Sequence, residues 1–128
     1  MSTTADIEHV LAANRALYEA FEARDMDAMS DVWEHSDRVR CTHPGWPTLK
    51  GWGAVASSWF GLLSGPQRLQ FIITDEEAEI VGDVAWVNCV ENLLGDSVGS
   101  TVTSINLFVR SSDGVWKMIA HHGGGVSI

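Results

Sequence analysis

Apolar and polar residues alternate with a helical period in the first half of the chain and with a strand period in the second half. Between residues 5 and 23 apolar positions recur every three or four residues, and Asn14 lies within this apolar stripe. Asp25 can cap a short second helix, and a third helix is predicted after Gly51, ending at Gly65-Pro66. The apolar faces of the three helices comprise Ile7, Val10, Leu11, Leu17, Tyr18 and Phe21; Met26, Met29, Val32 and Trp33; and Trp52, Val55, Ala56, Trp59, Phe60 and Leu63.

Four later segments are rich in β-branched and aromatic residues, which is typical of strands: residues 69–73, 84–94, 101–110 and 115–122. Gly82-Asp83 and Ser112-Asp113-Gly114 fit tight turns, so these strands are expected to be antiparallel neighbours. The acidic residues 75–77 predict a bend or a bulge, and the glycines at 123–125 predict a flexible segment. The pattern therefore predicts an α+β fold in which three N-terminal helices pack on one face of a strongly curved antiparallel sheet and leave a cavity.

Length and charge narrow the class of protein. The 128 residues suit one domain spanning residues 1–128, and the net charge of −9 disfavours nucleic acid and anionic membranes as partners. Cys41 and Cys89 form no metal-binding spacing, so we expect no metal, no cofactor and two unpaired thiols. Neither a basic-then-apolar leader nor an apolar run of about 20 residues is present, and a reducing cytoplasm is the expected location.

Several short segments of the chain form a recognisable series. They are YEAFEARDMD at residues 18–27, VRC at 39–41, HPGWP at 43–47, LKG at 49–51, GDVAWV at 82–87 and DGVWKMIAHH at 113–122. In this order and spacing they resemble the NTF2-like superfamily and in particular its SnoaL-like and ketosteroid-isomerase-like branch. The resemblance covers nearly the whole chain and implies a cone-shaped half-barrel with a hydrophobic pocket. It also implies a homodimer formed through the sheet. Fold alone does not identify function, because this superfamily contains both enzymes and non-catalytic modules.

His43 and Asn106 are the first candidates for chemistry. His43-Pro44 resembles the Asp-Pro pair that supplies the base in ketosteroid-isomerase-like enzymes, and an imidazole titrates near neutral pH. Asn106 resembles the oxyanion donor of those enzymes and shares a strand face with Ser104 and Phe108. The alternatives are a turn histidine bonded to backbone and an outward-facing polar residue.

Two further candidates come from the strands. In the last strand Trp116, Met118, Ala120 and His122 share one face, and Lys117 and His121 share the other. Because lysine prefers solvent, His122 is predicted to point inward as a second acid/base, and His121 outward. A buried histidine without catalytic role is the alternative. If Glu91 is buried, it either pairs with a histidine or has its pKa raised by burial. The alternative is that Glu91 lies at an exposed strand end.

Aromatic residues complete the predicted ligand site. Trp46, Trp59 and Trp86 could line the cavity, with Trp46 at its rim, although Trp59 and Trp86 fit core positions better. The tyrosine that the isomerases carry on the first helix aligns with Leu17 here. Tyr18 is one residue later, about 100° around the helix, so steroid isomerisation by that mechanism is not expected.

Two functions follow from these residues. The first is a cofactor-independent isomerase, dehydratase or cyclase that acts by proton transfer on a small apolar carbonyl or hydroxyl compound. Its catalytic residues would be His43, Asn106 and His122, and its ligand-binding residues Tyr18, Trp46, Trp59, Trp86 and Glu91. The alternative is a non-catalytic ligand-binding or dimerisation module of the same fold.

Overall fold

A computed structural model describes residues 3–66, 68–94 and 100–126 of the chain. Over these residues the elements are three helices, α1 (Thr4–Ala23), α2 (Met26–Val32) and α3 (Trp52–Ser64), and six strands. The strands are β1 (Arg40–Thr42), β2 (Leu49–Lys50), β3 (Gln70–Val81), β4 (Val84–Leu94), β5 (Ser100–Arg110) and β6 (Trp116–Gly125). The α+β class is therefore confirmed, but β1 and β2 precede α3, so the three helices are not contiguous at the N-terminus.

Local sequence signals set the helix ends. Thr3 caps α1 in a capping box: its hydroxyl oxygen accepts a hydrogen bond from the backbone N–H of Asp6, and the Asp6 carboxylate accepts one from the backbone N–H of Thr3. The side chain of Asp25 accepts a hydrogen bond from the backbone N–H of Ala28, which confirms the predicted cap of α2. Gly51 precedes α3 with a positive φ of 85°, a conformation that favours glycine.

The six strands form one open sheet in the order β2-β1-β6-β5-β4-β3. Strands β3 to β6 are an antiparallel meander, as the two tight turns predicted. Strand β1, however, pairs with β6 in parallel, so the sheet is mixed and the purely antiparallel prediction is wrong. The reason is that no short turn joins β1 to β6, so nothing in the local sequence fixes their relative direction.

Two irregularities interrupt the register of the sheet. The first separates Thr74 from Glu77 in β3 and confirms the predicted bulge. The second was not predicted: Leu107 pairs with Ala120 while Phe108 pairs with Met118, so Ile119 is an extra residue in β6. Before this bulge Met118 is buried, and after it the buried residues are His121 and Gly123. The bulge thus reverses which side chains of β6 point inward.

The two faces of the sheet differ in character. The inner face packs against the helices and contributes Ala85, Val87 and Phe108 to the core, together with Trp59 of α3. The outer face carries the alternate residues, of which several apolar ones are exposed or half-buried: Ile72, Val81, Val84, Trp86, Val90, Ile105, Leu107 and Val109. The glycines at 123–125 belong to β6 and pair with β5, so the prediction of a flexible segment is wrong.

Candidate functional site

Seven side chains form a buried polar cluster where α1 crosses the inner face of β4, β5 and β6. They are Asn14 and Tyr18 from α1, Cys89 and Glu91 from β4, Ser104 and Asn106 from β5, and His121 from β6. The strand residues come together because the register places Asn106 opposite His121, and Ser104 between Cys89 and Gly123. Each polar group therefore has neighbours with which it can form hydrogen bonds.

Asn106 connects the two halves of this cluster. Its side-chain N–H groups donate to Asn14 Oδ1 at 2.8 Å and to the Tyr18 hydroxyl at 3.1 Å, and its Oδ1 lies 2.5 Å from His121 Nδ1. Asn106 is completely buried and points inward beside Ser104, as predicted. Both of its donors are used within the protein, so the oxyanion-donor role predicted for Asn106 requires one of these bonds to break.

Glu91 is buried rather than at an exposed strand end. Its Oε2 accepts hydrogen bonds from the Tyr18 hydroxyl at 2.7 Å and from the Ser104 hydroxyl. Burial raises the pKa of Glu91, and the two hydrogen bonds act in the opposite direction. Tyr18 therefore belongs to the site although it is displaced by one residue from the aligned position, because both Leu17 and Tyr18 point into the protein. Burial, and then the nearby Glu91 charge, raises the pKa of Tyr18.

His121, not His122, points inward. His121 is 5% exposed whereas His122 lies on the outer face, so the predicted orientation of the pair is wrong. The cause is the extra residue Ile119, which shifts the alternation between Lys117 and the end of the strand. Burial lowers the pKa of His121 to about 3, and nearby His43 and His122 act in the same direction. His121 is therefore uncharged at neutral pH.

His43 approaches the same region from the loop that follows β1. Its ring centre lies 6.3 Å from that of His121 and 4.7 Å from that of Trp59. His43 Nε2 lies 3.0 Å from the Ser58 hydroxyl of α3, and burial lowers the pKa of His43 to about 4. Gly123 permits this approach, since a Cβ there would lie 3.2 Å from Pro44 Cγ.

The predicted aromatic residues divide into three environments. Trp59 is fully buried beside both histidines, and the indole N–H has no hydrogen-bond partner among the described residues. Trp46 is 42% exposed and lies at a rim, as predicted, 4.9 Å from His43 between ring centres. Trp86 lies on the outer face of β4, so its prediction as a cavity-lining or core residue is wrong.

Three of the surface grooves border α1 or α3. One, of about 560 Å³, runs between α1, α2 and Trp116; another, of about 640 Å³, lies between Trp46 and α3 and has Ser58 in its wall. A third, of about 190 Å³, lies between α1 and β3 and reaches Tyr18 and Phe71. None of these three is lined by Asn106 or His121.

The cluster is almost completely buried. Tyr18, Glu91, Ser104 and His121 are each 3–5% exposed. Groups of three or more His, Cys, Asp and Glu side chains able to hold a metal ion are absent from the described ranges. Within those same ranges no helix is both long and apolar enough to cross a membrane.

Asn14, Ser104 and His121 are site residues to which the sequence analysis gave no role. Asn14 was visible as a polar residue inside an apolar helical stripe, and Ser104 as the neighbour of Asn106 on one strand face. His121 could not be found in this way, because strict alternation assigns it to the wrong side. A bulge depends on pairing with β5, which the sequence of β6 does not encode locally.

A fold of three helices on an open mixed sheet, with a polar cluster beneath the first helix, defines a class of small α+β proteins. The sequence profile of the SnoaL-like domain matches residues 10–126. The chain therefore belongs to the SnoaL-like domain family, within the NTF2-like superfamily.

Solved structures support this assignment. A proposed dehydratase of the NTF2-like family from Streptomyces avermitilis is 38% identical and superposes with a TM-score of 0.89, over 97% of this chain and 98% of that chain. A proposed calcium/calmodulin-dependent protein kinase type II association domain from Thiobacillus denitrificans is 33% identical, with a TM-score of 0.77, over 91% and 94% of the two chains. The F-box protein SKIP8 of Arabidopsis thaliana is 26% identical over 113 residues, which are 88% of this chain. The chain spans about half the length of that relative.

Proposed function

We propose that the protein is a cofactor-independent enzyme that adds, removes or moves protons on a small uncharged hydroxyl or carbonyl compound, as a dehydratase or isomerase does. The observation that carries this proposal is one hydrogen-bonded cluster that links His121, whose ring centre lies 6.3 Å from that of His43, to Glu91 through Asn106 and Tyr18. Burial lowers the pKa of both imidazoles and raises that of Glu91. Perturbed titrating groups that share a buried polar site are a hallmark of acid–base catalysis. Similarity to the proposed Streptomyces avermitilis dehydratase supports the same reaction class.

The structure favours a different division of roles from the one that the sequence suggested. His121 replaces His122 as the inward-facing acid/base. His43 is a second base, with its ring centre 6.3 Å from that of His121. Glu91 is the proton donor in this division of roles, because burial raises its pKa and so favours the protonated carboxyl group over the carboxylate. Asn106 orients His121, Tyr18 and Ser104 hold Glu91, and Trp59 contributes an apolar wall.

A matched pair of histidine variants tests this function. The protein is incubated in D₂O with a panel of uncharged β-hydroxy ketones, and dehydration and deuterium incorporation are followed by ¹H NMR. We expect His121→Ala to lower the rate by about 10²–10⁴-fold, the usual contribution of a general acid or base. His122→Ala, one residue away but on the outer face, should retain the wild-type rate. Equal rates for the two variants would contradict the assignment.

We also infer a second function, self-association through the outer face of the sheet. The described outer face exposes Ile72, Val81, Val84 and Ile105 around the half-buried Trp86. An apolar surface of this kind commonly marks a protein interface. The similarity to a proposed kinase association domain is consistent with assembly. If the enzyme assay fails for every compound while the protein is dimeric, a non-catalytic dimerisation module is the better description.

A further inference from the structure

The direction of every hydrogen bond in the buried cluster is fixed by a few groups that can act in only one way. Glu91 Oε2 receives both the Tyr18 and the Ser104 hydroxyl protons, so a proton on the Glu91 carboxyl group is carried by Oε1. Since the single hydroxyl proton of Tyr18 is then used, the Tyr18 oxygen can only accept from Asn106. Asn106 therefore turns its NH₂ group toward α1 and its carbonyl oxygen toward β6.

Asn14 imposes the same orientation on Asn106 a second time. The Asn14 amide nitrogen lies 3.8 Å from Cys89 Sγ, and its Oδ1 accepts from Asn106 at 2.8 Å. Reversal of the Asn106 amide would place two carbonyl oxygens against each other, unless Asn14 also turned. Two acceptors on α1 thus hold one amide in one orientation.

This orientation decides which nitrogen of His121 carries its proton. Asn106 Oδ1 can only accept, so at 2.5 Å His121 Nδ1 must donate. An uncharged imidazole carries one proton, which leaves Nε2 as a lone-pair acceptor. Among the described residues no hydrogen bond involves His121 Nε2.

His43 is held in a complementary way. The Ser58 hydroxyl lies 2.7 Å from the carbonyl oxygen of Val55 and donates to it, since a carbonyl cannot donate. Ser58 Oγ therefore accepts from His43 Nε2, and Nδ1 of His43, 4.0 Å from Cys41 Sγ, is left as the acceptor. Both imidazoles of the site are consequently acceptors on their remaining nitrogen.

No positive charge is available to balance an anion at this site. The buried polar side chains of the described residues are Asn14, His43, Glu91, Ser104, Asn106 and His121, and none is lysine or arginine. An unpaired anion is strongly disfavoured in a buried environment. A ketone without hydroxyl groups would also meet lone pairs rather than donors at both histidines.

We propose that Asn14 is a positioning residue that acts through Asn106 to hold His121 as its Nδ1–H tautomer, and that the site consequently binds an uncharged compound through that compound's own O–H or N–H groups. The ligand class rests on the proposed function. The tautomer does not, because it follows from the hydrogen bonds of the protein alone.

The first experiment measures the tautomer in ¹H–¹⁵N spectra of the protein labelled at histidine, without ligand and at pH 7. The His121→Gln and His122→Gln spectra assign the signals. We expect the wild-type protein to show His121 with its proton on Nδ1. A proton on Nε2 in the wild-type spectrum overturns the proposal and needs no folded variant.

The role of Asn14 is tested by three substitutions in the same spectra. Asn14→Leu removes the acceptor and should raise the Nε2–H population of His121 at least tenfold. Asn14→Asp keeps an acceptor oxygen and should retain the Nδ1–H form. Asn92→Leu is the matched control, since Asn92 bonds Ile72 and Thr74 outside the cluster. An unchanged tautomer in folded Asn14→Leu removes the positioning role.

The ligand class is tested with three probes that share a six-membered carbon ring: cyclohexanol, cyclohexanone and cyclohexanecarboxylate. Binding is followed by the His121 Nε2 signal and by tryptophan fluorescence, to which Trp59 contributes. We expect cyclohexanol to bind at least about tenfold more tightly than the other two, and Asn14→Leu to remove that preference. A ketone or carboxylate that binds as tightly as the alcohol, or no binding by any probe, overturns the ligand class. Absence of turnover would count against the enzyme proposal alone.

Discussion

The inner face of β4, β5 and β6 differs from the outer face of the same strands in the kind of side chain that it buries. On the inner face, polar groups are removed from water and bonded to one another, as in the Asn106–Tyr18–Glu91 series. On the outer face, apolar groups such as Ile105 remain in water with nothing to cover them among the described residues. Burying a polar group lowers stability mainly when the group lacks a hydrogen-bond partner. A single exposed apolar side chain has little effect, whereas a contiguous apolar patch favours association. Substitutions should therefore act on stability at the inner face and on association at the outer face.

The largest expected difference between the faces is in their response to acid. Burial lowers the pKa of His43 to about 4 and that of His121 to about 3, against an ordinary value of 6.5. Between pH 6.5 and the lowered pKa values, the unfolded chain binds more protons than the folded chain. The free energy of unfolding therefore falls as pH falls below 6.5. For the two histidines the loss at pH 4.5 is on the order of 5 kcal/mol.

Glu91 opposes this loss, because a raised pKa favours the folded state as the carboxyl group becomes protonated. Urea unfolding between pH 7 and 4.5 measures the sum of these effects. His121→Gln should flatten the curve by about half, and His122→Gln on the outer face should leave it unchanged. If both substitutions flatten it equally, the difference between the two faces is not electrostatic.

The next largest effect is expected from the same substitution made on each face. Glu91→Leu leaves the hydroxyls of Tyr18 and Ser104 without their acceptor and should lower the free energy of unfolding by about 3 kcal/mol. Glu79→Leu, on the exposed face of β3, should change it by less than about 0.5 kcal/mol. Chemical denaturation at pH 7 measures both. Similar values for the two variants would mean that the hydrogen bonds of Glu91 contribute little.

Features set by a few adjacent residues were predictable, and features set by distant pairing were not. The helix cap at Asp25 and the turn at Gly82-Asp83 depend only on these residues and their immediate neighbours, and both predictions are confirmed. The parallel pairing of β1 with β6 and the extra residue Ile119 depend on strands far apart in sequence. The extra residue Ile119 exchanges the orientations of His121 and His122, although residues 116–122 are correctly predicted to form a strand.

A smaller effect is expected from alanine substitutions at two adjacent glycines, whose added Cβ atoms would lie on opposite faces of the sheet. A Cβ at Gly123 would lie 3.2 Å from both Pro44 and Val102, whereas a Cβ at Gly124 would have nothing within 4 Å. Gly123→Ala should therefore displace the loop that carries His43 and lower the free energy of unfolding by about 1 to 2 kcal/mol. Gly124→Ala should be nearly neutral. Thermal melting compares the two, and a neutral Gly123→Ala would mean that the loop yields freely.

The smallest effect on the folded monomer, and the most specific, is expected at Ile105. Its side chain is 36% exposed on the outer face, so Ile105→Lys should change the free energy of unfolding of a monomer by less than about 0.5 kcal/mol. If the outer face forms a two-fold interface, the same substitution places two lysines in an apolar contact and should convert a dimer to a monomer in light scattering at micromolar concentration. Phe60→Lys is the control, because Phe60 is 62% exposed on α3, away from the sheet. A wild-type monomer, or dissociation caused equally by Phe60→Lys, would separate the exposed apolar face from any role in assembly.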